Sequence, residues 1–153
     1  MLQQYLYILG ISAIPIIEQR GAIPIGILVY NLDPVLVTLV SYVGSLIPMF
    51  FVIFCFSPIF KWLGTKKILK WFYDFVDKKV TKGQKKVEKY ETIGLSLFVA
   101  IPLPLTGVWT GSAVAAFMQM NKKKALISVS VGAAISAVVI AIICYVAPKL
   151  LGY

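Results

Sequence analysis

No histidine occurs among the 153 residues, acidic residues number only six, and there are two cysteines. The first absence removes the commonest metal ligand and the commonest general base. No nucleophile–base pair, ligand cluster or phosphate-cradling glycine loop takes its place, so no catalysis, metal or cofactor is expected. Cys55 and Cys144 both fall in hydrophobic runs, where buried free thiols are expected rather than a disulfide. Charge is missing over long distances as well: residues 35–60, 93–121 and 125–148 carry none. Each of these runs exceeds the roughly 20 residues that cross a hydrocarbon core. A soluble domain carries about 25% charged residues, against 14% here, and 59% of the chain is hydrophobic. The expectation is a single all-α integral membrane domain over residues 1–153, multi-pass in the cell membrane. Met1-Leu2-Gln3-Gln4-Tyr5 lacks the basic region of a secretory signal, so no cleavage is expected.

What charge there is has a definite place. The net charge of +9 comes from ten lysines between Lys61 and Lys89, then Lys122, Lys123, Lys124, Lys149 and Arg20. Lysine-rich loops beside membrane spans mark the cytoplasmic side and attract anionic headgroups at about 1 kcal/mol each. Anionic lipid at the cytoplasmic face is therefore the expected partner, and nucleic acid is not. Within 61–92, apolar residues recur at helical steps among the lysines, and Trp62, Trp71 and Tyr73 suit headgroup depth. That pattern predicts a cytoplasmic interfacial amphipathic helix, with Gly83 breaking it in two.

Two hydrophobic stretches are interrupted by Pro/Gly-rich breaks that look like versions of one another. The first is Pro15-Ile16-Ile17-Glu18-Gln19-Arg20-Gly21-Ala22-Ile23-Pro24, and the second is Pro102-Leu103-Pro104-Leu105-Thr106-Gly107-Val108-Trp109-Thr110-Gly111. Proline removes a backbone donor and clashes with the preceding turn, and glycine loosens what remains. Helix is expected to resume only near Ile25 and to end at Asn31-Leu32-Asp33-Pro34, with Asp33 capping the next helix. With all the lysine clusters inside, 35–60 crosses inward and 125–147 crosses outward, and 93–121 must enter and leave on one side. By analogy, 1–32 is a re-entrant hairpin from the opposite face. Pro15 and Pro102 lie 87 positions apart, and Gly44 and Gly132 lie 88 apart. The predicted fold is an inverted repeat of re-entrant helical hairpin plus transmembrane helix, with substrate held where the tips meet. Pro48 threatens to kink the first span, and Ser45 is a candidate to take up the carbonyl it frees. Two spans and two hairpins form a small body for enclosing a cavity, which predicts a homo-oligomer, most simply a dimer.

Glu18 and Arg20 are the sole charges in the hydrophobic stretches. Either one costs about 2.5–3.5 kcal/mol at the bilayer centre on insertion scales, so such residues face a cavity or one another. One reading makes Glu18 a proton or cation site alternating between neutral and ionised forms, with Arg20 holding an anionic group or compensating Glu18. The other is a structural Glu18–Arg20 pair pinning the break. In the second break, Thr106 and Thr110 offer hydroxyls, and Trp109 offers a cation–π face or a large packing surface. Pro15, Gly21, Pro24, Pro102, Pro104, Gly107 and Gly111 shape the two breaks.

The two breaks, together with Leu97-Phe98-Val99-Ala100-Ile101-Pro102-Leu103-Pro104 and the basic stretch ending Glu88-Lys89-Tyr90, resemble the small multidrug export protein family of bacteria and archaea. The resemblance covers nearly the whole chain. Leu105 stands where that pattern leads one to expect glycine, and Gln19 where it leads one to expect leucine. The resemblance implies drug export, and the lone intramembrane carboxylate beside an aromatic-containing break leads to the expectation of proton-coupled export of small amphipathic or cationic compounds, using Glu18 and Trp109. The re-entrant plan also looks like that of the DedA (VTT-domain) membrane proteins, which implies a lipid or lipid-phosphate translocase or scramblase with Arg20 as anion contact. A non-transporting membrane scaffold is the third class.

Overall fold

The computed structural model describes residues 1–63, 90–103 and 106–150, with side chains over 1–55, 90–103 and 106–148. Most of the amphipathic segment expected over 61–92, as well as Pro104 and Leu105, lies outside the described residues. Among the described residues there is no strand. The helices are α1 (Leu2–Ser12), α2 (Glu18–Pro24), α3 (Pro34–Leu63), α4 (Tyr90–Ala100), α5 (Val108–Phe117) and α6 (Lys122–Leu150), and a π-helical turn, Ile25–Val29, comes directly after α2.

Two of these, α3 and α6, hold stretches long and apolar enough to cross a membrane, Pro34–Cys55 and Lys122–Pro148. Their starts are set locally. The Asp33 carboxylate accepts the Leu36 N–H at 2.9 Å, and the Asn121 side chain accepts the Lys123 N–H at 3.0 Å. Each satisfies a donor that the first turn of a helix leaves without an intrahelical partner. Side chains on the outer faces are apolar and exposed, among them Phe51, Ile127 and Ile142, as a hydrocarbon environment demands.

α3 and α6 run antiparallel. Lys122 Nζ lies 4.7 Å from the centre of the Phe54 ring, and the Tyr42 hydroxyl donates to the Ser130 carbonyl at 3.3 Å. Toward the other end, Val35 and Leu39 share a groove with Val138 and Ile142. Two cores stack along this pair. One joins Met49 and Ile53 of α3 to Val99 of α4, Val108 of α5 and Val129 of α6. The other joins Val37 of α3 to Ile8 of α1, Ile23 of α2 and Ile140 of α6. The first helix pair (α1, α2) thus packs at one end of the long helices and the second (α4, α5) at the other.

The short helices are short in a telling way. At 1.5 Å per residue, the 11 residues of α1 and the 10 of α5 reach about 15 Å, half of a hydrocarbon core about 30 Å thick. Each pair meets a long helix through a glycine. A Cβ at Gly44 would lie 2.5 Å from the Leu9 carbonyl oxygen of α1, and one at Gly132 would lie 2.5 Å from the Ser96 carbonyl oxygen of α4. Only a missing side chain lets backbone approach backbone so closely.

The chain differs from its sequence-based expectation at two prolines. Glu18–Pro24 is helical rather than broken. The turn is confined to 13–17, and Pro24 is the last residue of α2, with the π-helical turn Ile25–Val29 directly after it. At Pro48, α3 continues, and the Ser45 hydroxyl faces the Tyr42 carbonyl (2.8 Å) and the Gln19 side-chain oxygen (3.2 Å) instead of the carbonyl that Pro48 frees. An amide in the core is the stronger claim on that hydroxyl.

Gly44→Ala and Gly132→Ala should each destabilise the protein by about 1–3 kcal/mol through overpacking. Gly10→Ala, where nothing lies within 4 Å of the added atom, should leave it unchanged or slightly firmer. Thermal unfolding in detergent reads both outcomes.

Candidate functional site

Glu18, Gln19 and Arg20 are consecutive, so their side chains fan out at about 100° intervals around α2. Each direction meets a different part of the molecule. The Glu18 carboxylate reaches the start of α5, where it accepts the Val108 N–H at 3.3 Å and the Trp109 N–H at 3.1 Å. Arg20 reaches the end of α4. Its Nη2 donates to the carbonyls of Ile101 (3.1 Å) and Val99 (3.3 Å), and its Nη1 donates to that of Leu103. Among the described residues no ion pair joins Glu18 to Arg20; each serves a different helix end.

The electrostatics explain why buried charges are tolerated here. A helix carries about +0.5 of a unit charge at its N-terminus and about −0.5 at its C-terminus, on unpaired N–H and C=O groups. The break between α4 and α5 exposes one end of each kind. A carboxylate sits on the positive end and a guanidinium on the negative one. The break supplies what the charges need, and the charges supply what the break lacks.

Backbone geometry agrees. Glu18 has φ 47, in the left-handed region, a strain of the order of 1–3 kcal/mol that persists only when surroundings enforce it. A Cβ at Gly107 would overlap the Glu18 carboxylate, so glycine there is the condition for the contact. In return, the Trp109 indole N–H donates to the Ala13 carbonyl at 3.0 Å, closing the C-terminal end of α1. Each break is therefore closed by a side chain from the other.

Gln19 does not stand out as a site residue in the sequence. It is almost fully buried, its amide nitrogen donates to the Ala133 carbonyl of α6 at 2.8 Å, and its oxygen faces the Ser45 hydroxyl of α3. The signal is present in two forms: a third polar residue in succession inside an apolar run, and Ser41 and Ser45 at helical i, i+4 spacing on α3. A buried amide has to find partners, and those serines mark one of the faces that could provide them.

Pro15, Glu18, Arg20 and Gly21 from the first break, and Pro102, Gly107 and Thr110 from the second, line one cavity of about 650 Å³. Thr106 and Trp109 do not line it. The Thr106 hydroxyl lies 2.8 Å from the Ile101 carbonyl and 3.0 Å from that of Leu103, which ties down the irregular segment. Pro24 belongs to α2, and Gly111 packs on Val99 of α4. Pro104 lies outside the described residues. Among the described residues of the lining, Glu18 and Arg20 are the ionisable ones. No group of three or more metal-ligating side chains occurs among the described residues.

The described residues hold helices and no strand, two of the helices are long and apolar enough to cross a membrane, and charges meet broken helices at one cavity, which together point to the class of small membrane proteins. Residues 18–139 match the family described as "putative small multi-drug export protein", and the chain belongs to that family. The match begins at Glu18 and spans both breaks. No curated protein and no solved structure matches the chain.

Glu18→Ala should cost about 1–3 kcal/mol for each amide left without an acceptor, and Gly107→Ala should cost a similar amount because it evicts the same carboxylate. The double variant should unfold no earlier than the worse single one, since both break one contact. Additive losses in detergent melts would show that the contact does not form.

Proposed function

We propose that the chain is a membrane transporter that exports small amphipathic or cationic compounds coupled to protons, with Glu18 as the exchanging group. The observation that carries this reading is the Glu18 carboxylate on the α5 N-terminus, at the wall of a mostly apolar cavity of about 650 Å³. That volume lies within the range of small-molecule sites. A proton on Glu18 removes the charge that binds α5, so protonation and contact between the breaks are linked. An organic cation at Glu18 would act on the same contact.

The architecture read from the sequence fits this function. Half-bilayer helix lengths, antiparallel α3 and α6, and cores at opposite ends support two re-entrant hairpins entering from opposite faces. Three pairs support an inverted repeat: Gly44 and Gly132 receive α1 and α4, Tyr42 bonds Ser130, and Gln19 bridges Ser45 and Ala133. Within each pair the positions on α3 and α6 are 88 apart. Contact between Lys122 and Phe54 supports placing the lysine triplet on the same side as the C-terminal end of α3, the cytoplasmic one. Anionic headgroups would meet that surface. A dimer in the plasma membrane would shield the exposed turns at Pro15 and Pro102. Translocation of a lipid phosphate by Arg20 is the less favoured reading, because both its Nη atoms already donate to carbonyls.

Dye efflux from inverted vesicles tests the coupling: Glu18→Gln should lower the proton-driven rate at least tenfold, while Asp33→Asn should leave it unchanged. Efflux at the wild-type rate in Glu18→Gln would remove Glu18 from the mechanism. For topology, a membrane-impermeant thiol reagent should modify Asn31→Cys from outside and Asn121→Cys only from inside. Labelling of position 121 from outside would overturn the inverted plan.

A further inference from the structure

The end of α4 is built as a cation site. Three carbonyls, those of Val99, Ile101 and Leu103, converge on one guanidinium, and they lie at the negative end of a helix. Converging backbone carbonyls are the arrangement with which proteins replace the hydration of a cation inside a membrane. The corresponding end of α1 is closed by a neutral indole N–H, so a cationic partner is peculiar to the second break and not a general need of broken helices.

Arg20 fills this cradle imperfectly. Its Nε is buried with no hydrogen-bond partner, although a guanidinium fully matched to its site would satisfy every donor. The cavity runs directly past it: Arg20 and Pro102 are part of a wall that continues into Ile17 and Ile25. A cationic head placed in the cradle would therefore leave an apolar body lying along that wall.

We infer that the carbonyl cradle of Val99, Ile101 and Leu103 is a binding site for guanidinium- or ammonium-headed amphiphiles, in which Arg20 is a tethered resident that such a ligand replaces. This rests on the export reading above and sharpens it. The cationic head is recognised by backbone carbonyls, and Glu18 remains free to act as the proton-exchanging group. In the resting arrangement the tethered arginine outcompetes free cations. When the two breaks part, Arg20 leaves the cradle and a ligand cation can take its place beside the Thr106 hydroxyl that holds the Ile101 and Leu103 carbonyls.

The test uses guanidinium ion itself as probe, with full-length protein purified in detergent. Binding of labelled guanidinium should be at least tenfold tighter to Arg20→Ala than to wild type, and millimolar guanidinium should raise the melting temperature of the variant. Urea, the neutral analogue, should do neither. Arg20→Gln, which keeps a polar side chain but is shorter and uncharged, should behave as Arg20→Ala does and serves if the alanine variant fails to fold. Equal binding to variant and wild type, no binding to either, or an equal effect of urea would each overturn the site. Because the readout is binding and not efflux, a wild-type protein that exports nothing would defeat the functional reading while leaving this result to stand or fall alone.

Discussion

A carboxylate and a guanidinium inside an apolar body are stable here because each meets the opposite partial charge of an interrupted helix. Ionised groups out of water cost several kcal/mol unless they are paired and hydrogen-bonded. Unpaired helix ends in hydrocarbon are almost as costly. Glu18 on α5 and Arg20 on α4 offset both costs with the same few contacts. The alternative of a direct Glu18–Arg20 pair would have taken the carboxylate from the amides of Val108 and Trp109 and left the carbonyls of Ile101 and Leu103 with Thr106 in place of a cation. The rest of the molecule is shaped by meeting this demand. Gly107 must lack a side chain, α2 must start at Glu18 in a strained conformation, and the two helix pairs must come tip to tip.

Around that contact the packing is organised by small residues. Gly44 and Gly132 let the short helices rest backbone against backbone on the long ones, where lipid offers no hydrophobic force to hold them. Gln19 then ties α2 to α3 and α6 together. Its position between two charges means that any rotation of α2 moves all three anchors at once. Each of the three anchors meets a different helix: Glu18 on α5, Gln19 on α3 and α6, and Arg20 on α4.

Much of this was legible in the residues. Charge-free runs announced α3 and α6, Asp33 announced the start of α3, and the paired breaks announced the cavity. Glu18 and Arg20 stood out because charge in an apolar stretch is expensive. What was hidden depended on partners far along the chain. Helix over Glu18–Pro24 looked forbidden with Gly21 and Pro24 inside it, yet tertiary anchors on three successive residues outweigh those local penalties. Gln19 carried no charge to draw attention, and although Ser41 and Ser45 mark a polar face on α3, no local pattern names the Ala133 carbonyl as its other partner. Trp109 read as an aromatic face for a ligand or as a large packing side chain, and neither reading names the bond from its N–H to the Ala13 carbonyl. Spacing alone does not say which end of a side chain is engaged.

The dependence of each break on the other has a consequence for biogenesis. Glu18 and its amide partner at Val108 are 90 positions apart. At ribosomal speeds of about 5–20 residues per second, that is a wait of about 5–20 seconds. During synthesis the α1–α2 segment therefore emerges with an acid and a base whose complements do not yet exist. Until the residues around α4 and α5 are translated, the cost of burying those two charges goes without the helix ends that offset it in the folded chain.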